Sequence, residues 1–409
     1  MNSLFMNRIN TDSIVDLMFH LKWKSGYASH TDCYQASNVN IWRDHFPPDV
    51  VDSIMMRSPG DRIELSYKQG EILPEVDPEK IFRIDAKQFD RYFYKNTLIQ
   101  PCPGRFYPKG MLKGVANVFK QNMQPFRLVS LNNGHMHADF NHPLCGKSLT
   151  LTTIIGRVEN KDVERGGSST DWIETLTAGP GMQARWQNNL TDYFSDDSFS
   201  RDDSTPDLEF YIKPRFTKHI DDNAIEIVRN TYDRFLDDGM RVLDLMSSWQ
   251  SHLPQKTRLE QCIGLGLNEK ELRRNPQLHD YVVHDLNENQ ALPFESDYFD
   301  VVLCTVSIEY LIHPLAVFTE IARILKPNGY FVITFSNRWF PTKAIKIWKD
   351  THEFERMGLV LEYFIRSGRF KDLQTYSIRG LPRPREDKYY PDLGFSDPIY
   401  AVWGRKQVL

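Results

Sequence analysis

The sequence has few cysteines, no long apolar run and little net charge, and each absence argues against a class of protein. Five cysteines in 409 residues form no C-x-x-C pair, so the sequence predicts neither a zinc site nor a disulfide framework. No apolar run approaches the roughly 20 residues that a membrane-spanning helix needs. A net charge of -4 provides no overall attraction to nucleic acid.

The first residues, "MNSLFMNRINTDSIVDLMFH", interrupt their apolar positions with Asn, Arg and Asp, which is not typical of a signal peptide. We therefore expect a cytoplasmic protein that binds neither a membrane nor nucleic acid. A chain of this length predicts about two or three domains. Nothing in the pattern indicates an oligomeric state.

Three regions differ in pattern. Residues 13–158 contain short β-type runs closed by Gly, Asn or Asp. Residues 160–208 are rich in Gly, Ser and Asp and only weakly periodic, which is typical of a linker. From about residue 222 onward, strands alternate with helices, which predicts a doubly wound, mainly parallel sheet.

Polar side chains stand where the predicted strands of this sheet end, which is where ligands bind in such folds. Asp244 and a serine turn follow the first strand, and Asp285 follows the third. Each residue alone could be a turn former or a helix cap. The ordered set of polar strand ends instead indicates a cofactor site.

Residues 207–406 resemble class I, type 11, S-adenosylmethionine-dependent methyltransferases. The resemblance is carried by "HDLNENQALPFESDYFDVVLCTVSIEYLIHPLAVFTEIARILKPNGYFVITFSN" (284–337), which has the family's acid, "LPF", "FD" and "R-x-L-K-P-x-G". It implies a Rossmann-like, seven-stranded sheet in which "DPIYAVWGRK" is the antiparallel last strand. It also implies S-adenosyl-L-methionine as the cofactor. The implied contacts come from Asp244, Met246, Ser247, Ser248, Gly264, Gly266, Asn268, Asp285 and Leu286.

Two features depart from the family pattern. The turn after the first strand is "MSSW", without glycine, and the acid expected after the second strand is replaced by Gly266 and Asn268. An asparagine can still hydrogen-bond a ribose hydroxyl, although without a charge. The stretches "DLMSSW-x-SHLP" and "G-x-G-x-N" also resemble a subgroup of these proteins. We interpret the turn as a variant cofactor site built on serines; the alternative is a site that no longer binds cofactor.

Glu309 and His219 are the candidates for a general base near the expected mouth of the site. The alternatives are a solvated acid at a helix start and a histidine in a connecting segment. No metal ligands are expected. The expected wall for the methyl acceptor, whose aromatic members could equally be core residues, consists of Tyr310, Asn337, Arg338 and Trp339 together with Phe340.

The N-terminal half resembles FKBP-type prolyl isomerases that carry an insert-in-flap domain (SlyD-like). "DFNHPLCGKSLTLTTIIGRV" (139–158) and "FPPDVVDSIMMRSPGDRIELS" (46–66) carry this resemblance. It implies a β half-barrel and an apolar groove lined by Phe19, Asp32, Phe46, Pro47, Val50 and Leu151. The usual tyrosine is Phe19 and a floor aromatic is Leu151, so we expect a weak isomerase at best.

The predicted organisation is an FKBP-like domain at 1–158 with an insert at about 74–137, a linker at 159–206, and a methyltransferase-like domain at 207–409. One hypothesis is a methyltransferase whose N-terminal domain holds an unfolded or proline-containing polypeptide, as a chaperone or docking module. The alternatives are a non-catalytic methyltransferase-fold scaffold and a prolyl isomerase with an accessory domain. The methyl acceptor is not identified.

Overall fold

The computed structural model describes residues 8–94, 98–160, 167–195 and 197–408. Its strands are β1 (Ser13–Lys24), β2 (Ala28–Asn40), β3 (Arg62–Tyr67), β4 (Ile81–Asp85), β5 (Phe106–Pro108), β6 (Pro125–Asn132), β7 (His135–Asp139), β8 (Leu149–Asn160), β9 (Arg241–Leu245), β10 (Gln261–Gly266), β11 (Asp280–Val283), β12 (Phe299–Thr305), β13 (Leu325–Phe335), β14 (Phe370–Arg379) and β15 (Ile399–Lys406). Its helices are α1 (Pro48–Ile54), α2 (Trp172–Thr177), α3 (Asp207–Phe210), α4 (Asp222–Tyr232), α5 (Glu269–Arg274), α6 (Pro314–Ile324), α7 (Lys346–Lys349) and α8 (Glu353–Ser367).

The C-terminal half forms the predicted Rossmann-like α/β sheet. Its strand order is β11-β10-β9-β12-β13-β15-β14. β9 to β13 pair in parallel, whereas β15 runs antiparallel between β13 and β14. The stretch "DPIYAVWGRK" is therefore an antiparallel strand, as expected, although it lies inside the sheet. Helix α4 is amphipathic, and its apolar residues Ile225, Val228 and Tyr232 are buried.

The sheet does not end at β14, because β14 also pairs in parallel with β2 of the N-terminal half, from Leu373 beside Ala28 to Arg379 beside Tyr34. The sheet then continues through β1 and β8 to β3, which makes eleven strands in the described ranges. The Ser377 hydroxyl donates to the buried Asp32 carboxylate at 2.7 Å. Backbone and side-chain hydrogen bonds thus join the two halves.

A separate four-stranded sheet, ordered β4-β7-β6-β5, lies within the range predicted as an insert and extends to Asp139. Its own core includes Met111, Phe126 and Met136, which are fully buried. Phe119, in contrast, is 71% exposed. The FKBP-like identity of the N-terminal half stays a prediction.

The segment expected to be a flexible linker is anchored to both halves by several buried side chains. Trp172 and Leu176 belong to the N-terminal core, and Tyr193 belongs to the C-terminal core. Its glycines allow close approach rather than flexibility: a Cβ on Gly179 would lie 2.4 Å from the Phe354 ring. The polar composition suggested a mobile segment, whereas a few large buried side chains fix the segment to the two cores. The domain boundaries themselves stay predictions.

Within the described part of the chain, no helix is both long enough and apolar enough to cross a membrane.

Trp172 provides a test of this packing. It is 7% exposed, its ring lies about 6 Å from the rings of Phe19 and Phe46, and its indole N–H donates to Asp44 at 3.0 Å. Trp172→Ala should lower the free energy of unfolding by about 3–5 kcal/mol, because it leaves a cavity in the core. Urea unfolding monitored by circular dichroism measures this. Leu190→Ala, at a position 60% exposed in the same segment, should change it by less than about 0.5 kcal/mol. Equal, small effects would mean that the segment is not part of the core.

Candidate functional site

A cavity of about 1080 Å³, called here the strand-end cavity, lies at the carboxyl ends of the parallel strands of the C-terminal half. It gathers most of the residues that the sequence predicted for a cofactor site. The predicted residues that line it are Asp244, Met246, Ser247, Ser248, Gly266, Asn268, Asp285, Leu286, Tyr310, Asn337, Arg338, Trp339 and His219. Gly264 and Glu309 do not line it.

The serine turn after β9 lies directly on β10. The Ser247 amide donates to the Leu265 carbonyl at 2.7 Å, and the Ser247 hydroxyl donates to the Asp244 carboxylate. A Cβ on Gly266 would lie 2.2 Å from the Ser247 carbonyl oxygen, so only glycine fits there. The glycines that the turn lacks therefore stand in the neighbouring strand, where they let the turn pack closely. Within this turn, Met246 has a left-handed backbone conformation, with φ 56°.

Asp244 lies beneath the turn and is 2% exposed. Burial raises the pKa of its carboxyl to about 6, although the hydroxyl of Ser247 acts in the opposite direction. Its contact with Ser247 shows that Asp244 positions the turn.

The side chain of Asn268 hydrogen-bonds to the protein itself, whereas the sequence predicted that it contacts a ribose. Its side-chain oxygen accepts from the amides of Lys270 and Glu271 and caps α5, while its amide group donates to the carbonyl of Tyr211 at 2.7 Å. Both its amide group and its side-chain oxygen are thus occupied. These hydrogen bonds do not support the prediction that Asn268 replaces the acid that would contact the ribose.

Glu271 is a residue that the sequence analysis missed. It accepts from the Ser248 hydroxyl and from the Arg215 amide, both at 2.6 Å, and so links α5 to the serine turn and to the segment that precedes α4. The signal was available in the sequence, because Asn268 with an acid three residues later has the spacing of a capping box.

Asp285 follows β11, lines the strand-end cavity and carries a buried acceptor without a partner in the described structure. Its Oδ1 accepts from the Asn287 amide at 2.9 Å, whereas its Oδ2 is buried without a hydrogen-bond partner among the residues described. Buried polar atoms are nearly always paired. The free oxygen is therefore suited to a donor on a ligand.

Arg215 lines the same cavity, carries a buried donor without a partner among the residues described, and was also missed. Its guanidinium lies 4.7 Å from the centroid of Phe210 and 5.1 Å from those of Tyr211 and Phe340. Its Nη2 donates to the Phe210 carbonyl, but its Nη1 is buried without a partner in the described structure. The connecting segment has no periodic pattern, so nothing in the sequence singled this arginine out.

The wall expected for an acceptor is present and is extended by the loop "RGLPRPREDK". The Tyr310 hydroxyl accepts from the Phe340 amide at 2.8 Å, and the Arg338 guanidinium lies 4.4 Å from the ring of Tyr389. Trp339 packs under Arg356, at 4.2 Å, so it is partly a core residue.

Arg383 anchors this loop. It is 4% exposed and lies 3.0 Å from Asp387 and 3.5 Å from Asp221, and it also donates to Asp397. This basic residue of the loop is therefore structural.

Of the two candidate bases, only His219 lies at the cavity. Its ring is 5.7 Å from that of Phe340, and desolvation lowers its pKa, against the opposing effect of Glu271. Glu309 is 1% exposed, away from the lining, and its Oε2 has no partner in the described ranges. Glu309 therefore does not face a ligand, because the short turn that carries it points its side chain into the core.

The predicted isomerase groove is filled by the protein itself. Phe19 and Phe46 lie against Trp172, which comes from the segment after β8. The Asp32 carboxylate accepts hydrogen bonds from the Trp23 indole and from the Ser377 hydroxyl of β14. The remaining predicted groove residues are Val50 and Leu151, which are buried, and Pro47, which precedes α1.

Comparison with known proteins yields matches to the C-terminal half. Residues 248–333 match the family model Methyltransf_11, described as a methyltransferase domain. A stretch of 98 residues is 30% identical to the ubiquinone/menaquinone biosynthesis C-methyltransferase UbiE of Paraburkholderia xenovorans (strain LB400), covering 24% of this chain and 39% of that protein. UbiE of Paraburkholderia phytofirmans matches with the same identity and coverage. The matched stretch thus spans about two fifths of the length of these curated relatives.

Two solved structures are also similar. An S-adenosylmethionine-dependent methyltransferase from Mesorhizobium loti is 18% identical with a TM-score of 0.29, covering 45% of this chain and 99% of that one. A SAM-dependent methyltransferase from Archaeoglobus fulgidus is 17% identical with a TM-score of 0.31, covering 44% of this chain and 94% of that one.

The buried Glu309 carboxyl predicts a pH dependence of stability. Burial raises its pKa from about 4.5 to about 8, against weaker opposing effects from hydrogen bonding and from Arg356. Between these values the folded state holds more protons than the unfolded state, so this group makes stability fall as pH rises. Glu309→Gln should therefore reduce the loss of unfolding free energy between about pH 5 and about pH 8 by at least ~1 kcal/mol. Urea unfolding at both pH values measures it. If the unfolding free energies of the wild type and of Glu309→Gln change equally with pH, Glu309 is not a buried, titrating carboxyl.

Proposed function

We propose that this protein binds S-adenosyl-L-methionine in the strand-end cavity and transfers its methyl group to an acceptor, because residues 248–333 match a methyltransferase family model and most of the predicted cofactor residues line this cavity. The names of the curated relatives, which are C-methyltransferases, support a transfer reaction. Their short overlap with this chain leaves the acceptor open.

The observation that carries the proposal is a pair of residues on the lining of one cavity, each with a buried polar atom that has no partner in the described structure. Asp285 offers a buried acceptor and Arg215 offers a buried donor. S-adenosylmethionine carries an amino group on its adenine and a carboxylate at its other end. Asp285 would accept from the adenine amine and Arg215 would donate to the carboxylate, so the residues present fit the cofactor.

Other residues of the cavity would position the acceptor. Held by Asp285 and Arg215, the cofactor would supply an electrophilic methyl carbon on a sulfonium that is already a good leaving group. Tyr310, Trp339 and Phe340 form a wall that would exclude water and orient the acceptor, and orientation supplies most of the acceleration in such a displacement. His219, with its lowered pKa, would take a proton if the acceptor carries one.

Cofactor binding is tested by titrating the full chain with S-adenosylhomocysteine in a calorimeter. The full chain is used because the two halves share one sheet. Asp285→Ala should weaken binding by about 1–3 kcal/mol, because the adenine amine loses its acceptor. Asp280→Ala, at the exposed opposite end of β11, should leave binding unchanged.

The result decides between two of the hypotheses. Saturable binding that Asp285→Ala weakens supports the methyltransferase. No detectable binding by the wild-type chain would favour the non-catalytic scaffold.

We propose in addition that the FKBP-like N-terminal half is a binding module rather than a prolyl isomerase. The supporting observation is that the Trp172 ring packs about 6 Å from the rings of both Phe19 and Phe46, two residues of the predicted groove. An isomerase would need this indole to leave the core.

A further inference from the structure

His252 also lines the strand-end cavity, and none of the roles proposed above uses it. Its Nδ1 is buried and has no hydrogen-bond partner among the residues described, as is also true of one oxygen of Asp285 and one nitrogen of Arg215. Buried polar atoms are nearly always paired. The ring nitrogen of His252 is therefore a third atom of this cavity that is suited to a ligand.

Hydrogen bonds to its two neighbours fix the position of His252. Asn275 donates to the hydroxyl of the buried Ser251 at 2.7 Å. Gln277 accepts from the amide of Leu253 at 3.3 Å and donates to its carbonyl at 3.0 Å. Between these two anchored residues, His252 has a left-handed backbone conformation, with φ 53°. Residues other than glycine rarely adopt this conformation, and such positions cluster at ligand sites.

The loop that carries His252 lies beside the segment that carries Arg215. The Trp249 indole donates to the Thr217 carbonyl at 3.3 Å. Glu271 joins the same two stretches, because it accepts from the serine turn and from the Arg215 amide. The unpaired nitrogens of His252 and Arg215 therefore belong to neighbouring stretches of the cavity lining.

The surroundings of the His252 ring favour an anion over a cation. Desolvation, followed by the charges of Arg229 and His219, lowers the pKa of His252 to about 4. At neutral pH the ring is therefore uncharged and carries one N–H, whose position is set by the partner that it finds. Both charged groups that act on the ring are cationic when protonated, which disfavours a ligand ammonium and favours a carboxylate.

We propose that the Nδ1–H of His252 donates to the carboxylate of S-adenosyl-L-methionine, so that His252 and Arg215 each hold one oxygen of this group. The inference rests on the proposed function and assigns a residue to one end of its cofactor. Both oxygens of a carboxylate accept hydrogen bonds, whereas the Arg215 guanidinium has one buried nitrogen without a partner in the described structure. A second buried donor from the neighbouring loop would satisfy the other oxygen.

The test compares the affinities of the full chain for three ligands in a calorimeter. S-adenosylhomocysteine carries both the amine and the carboxylate, its decarboxylated form keeps only the amine, and 5′-methylthioadenosine lacks both groups. His252→Ala should weaken S-adenosylhomocysteine by about tenfold, because the carboxylate loses one donor. It should leave the affinities for the other two ligands unchanged, since neither carries a carboxylate. Unchanged binding of 5′-methylthioadenosine also shows that the cavity keeps its shape.

Two further variants serve as controls. His252→Asn keeps a side-chain N–H near the position of Nδ1 and tolerates a left-handed backbone, so it should restore most of the affinity for S-adenosylhomocysteine. His313→Ala removes an exposed histidine outside the cavity and should change none of the three affinities.

Three results would overturn the inference alone. If His252→Ala leaves the affinity for S-adenosylhomocysteine unchanged, the ring does not contact the ligand. Equal weakening of all three ligands would mean that His252 shapes the cavity, and equal weakening of S-adenosylhomocysteine and its decarboxylated form alone would mean that the ring contacts the amine. In each case, saturable binding that Asp285→Ala weakens leaves the proposed function standing. A wild-type chain that binds none of the three ligands overturns both the proposed function and the inference.

Discussion

The pairing of β14 with β2 is the constraint on which the rest of the structure depends. Seven residue pairs join these strands in parallel, and they turn the sheets of the two halves into one. The pairing also buries Asp32, whose carboxylate accepts from the Trp23 indole and the Ser377 hydroxyl. Removing either partner would leave a charged or polar group unpaired in the core, which is costly. The halves are therefore held in one relative position.

The segment between the halves reinforces this arrangement. The Arg185 guanidinium pairs with Glu362 of α8, and Phe106 of β5 donates its amide to Glu355 of the same helix at 2.8 Å. Helix α8 thus receives contacts from the segment and from the four-stranded sheet, and its own apolar face packs on the C-terminal sheet. This places the four-stranded sheet beside the carboxyl ends of the strands, where ligands bind in such folds.

Much of the C-terminal half could be predicted from the sequence, because alternating strands and helices leave periodic apolar patterns and because polar residues mark the strand ends. Asp285 and the serine turn were found in this way. Arg215 and Trp172 were not, since each lies in a polar, aperiodic segment and makes contacts that only the tertiary structure brings together. Glu309 was misplaced because its position in the chain lies beside the site, while the direction of its side chain is set by the tertiary structure.

The central claim is that Asp285 and Arg215 hold the two ends of one cofactor in the strand-end cavity. The most direct measurement is a crystal structure of the full chain with S-adenosylhomocysteine. The account predicts adenine with its amine within hydrogen-bond distance of the Asp285 carboxylate, and the ligand's carboxylate at the Arg215 guanidinium. A ligand bound outside this cavity, or one whose adenine lies away from Asp285, would contradict it.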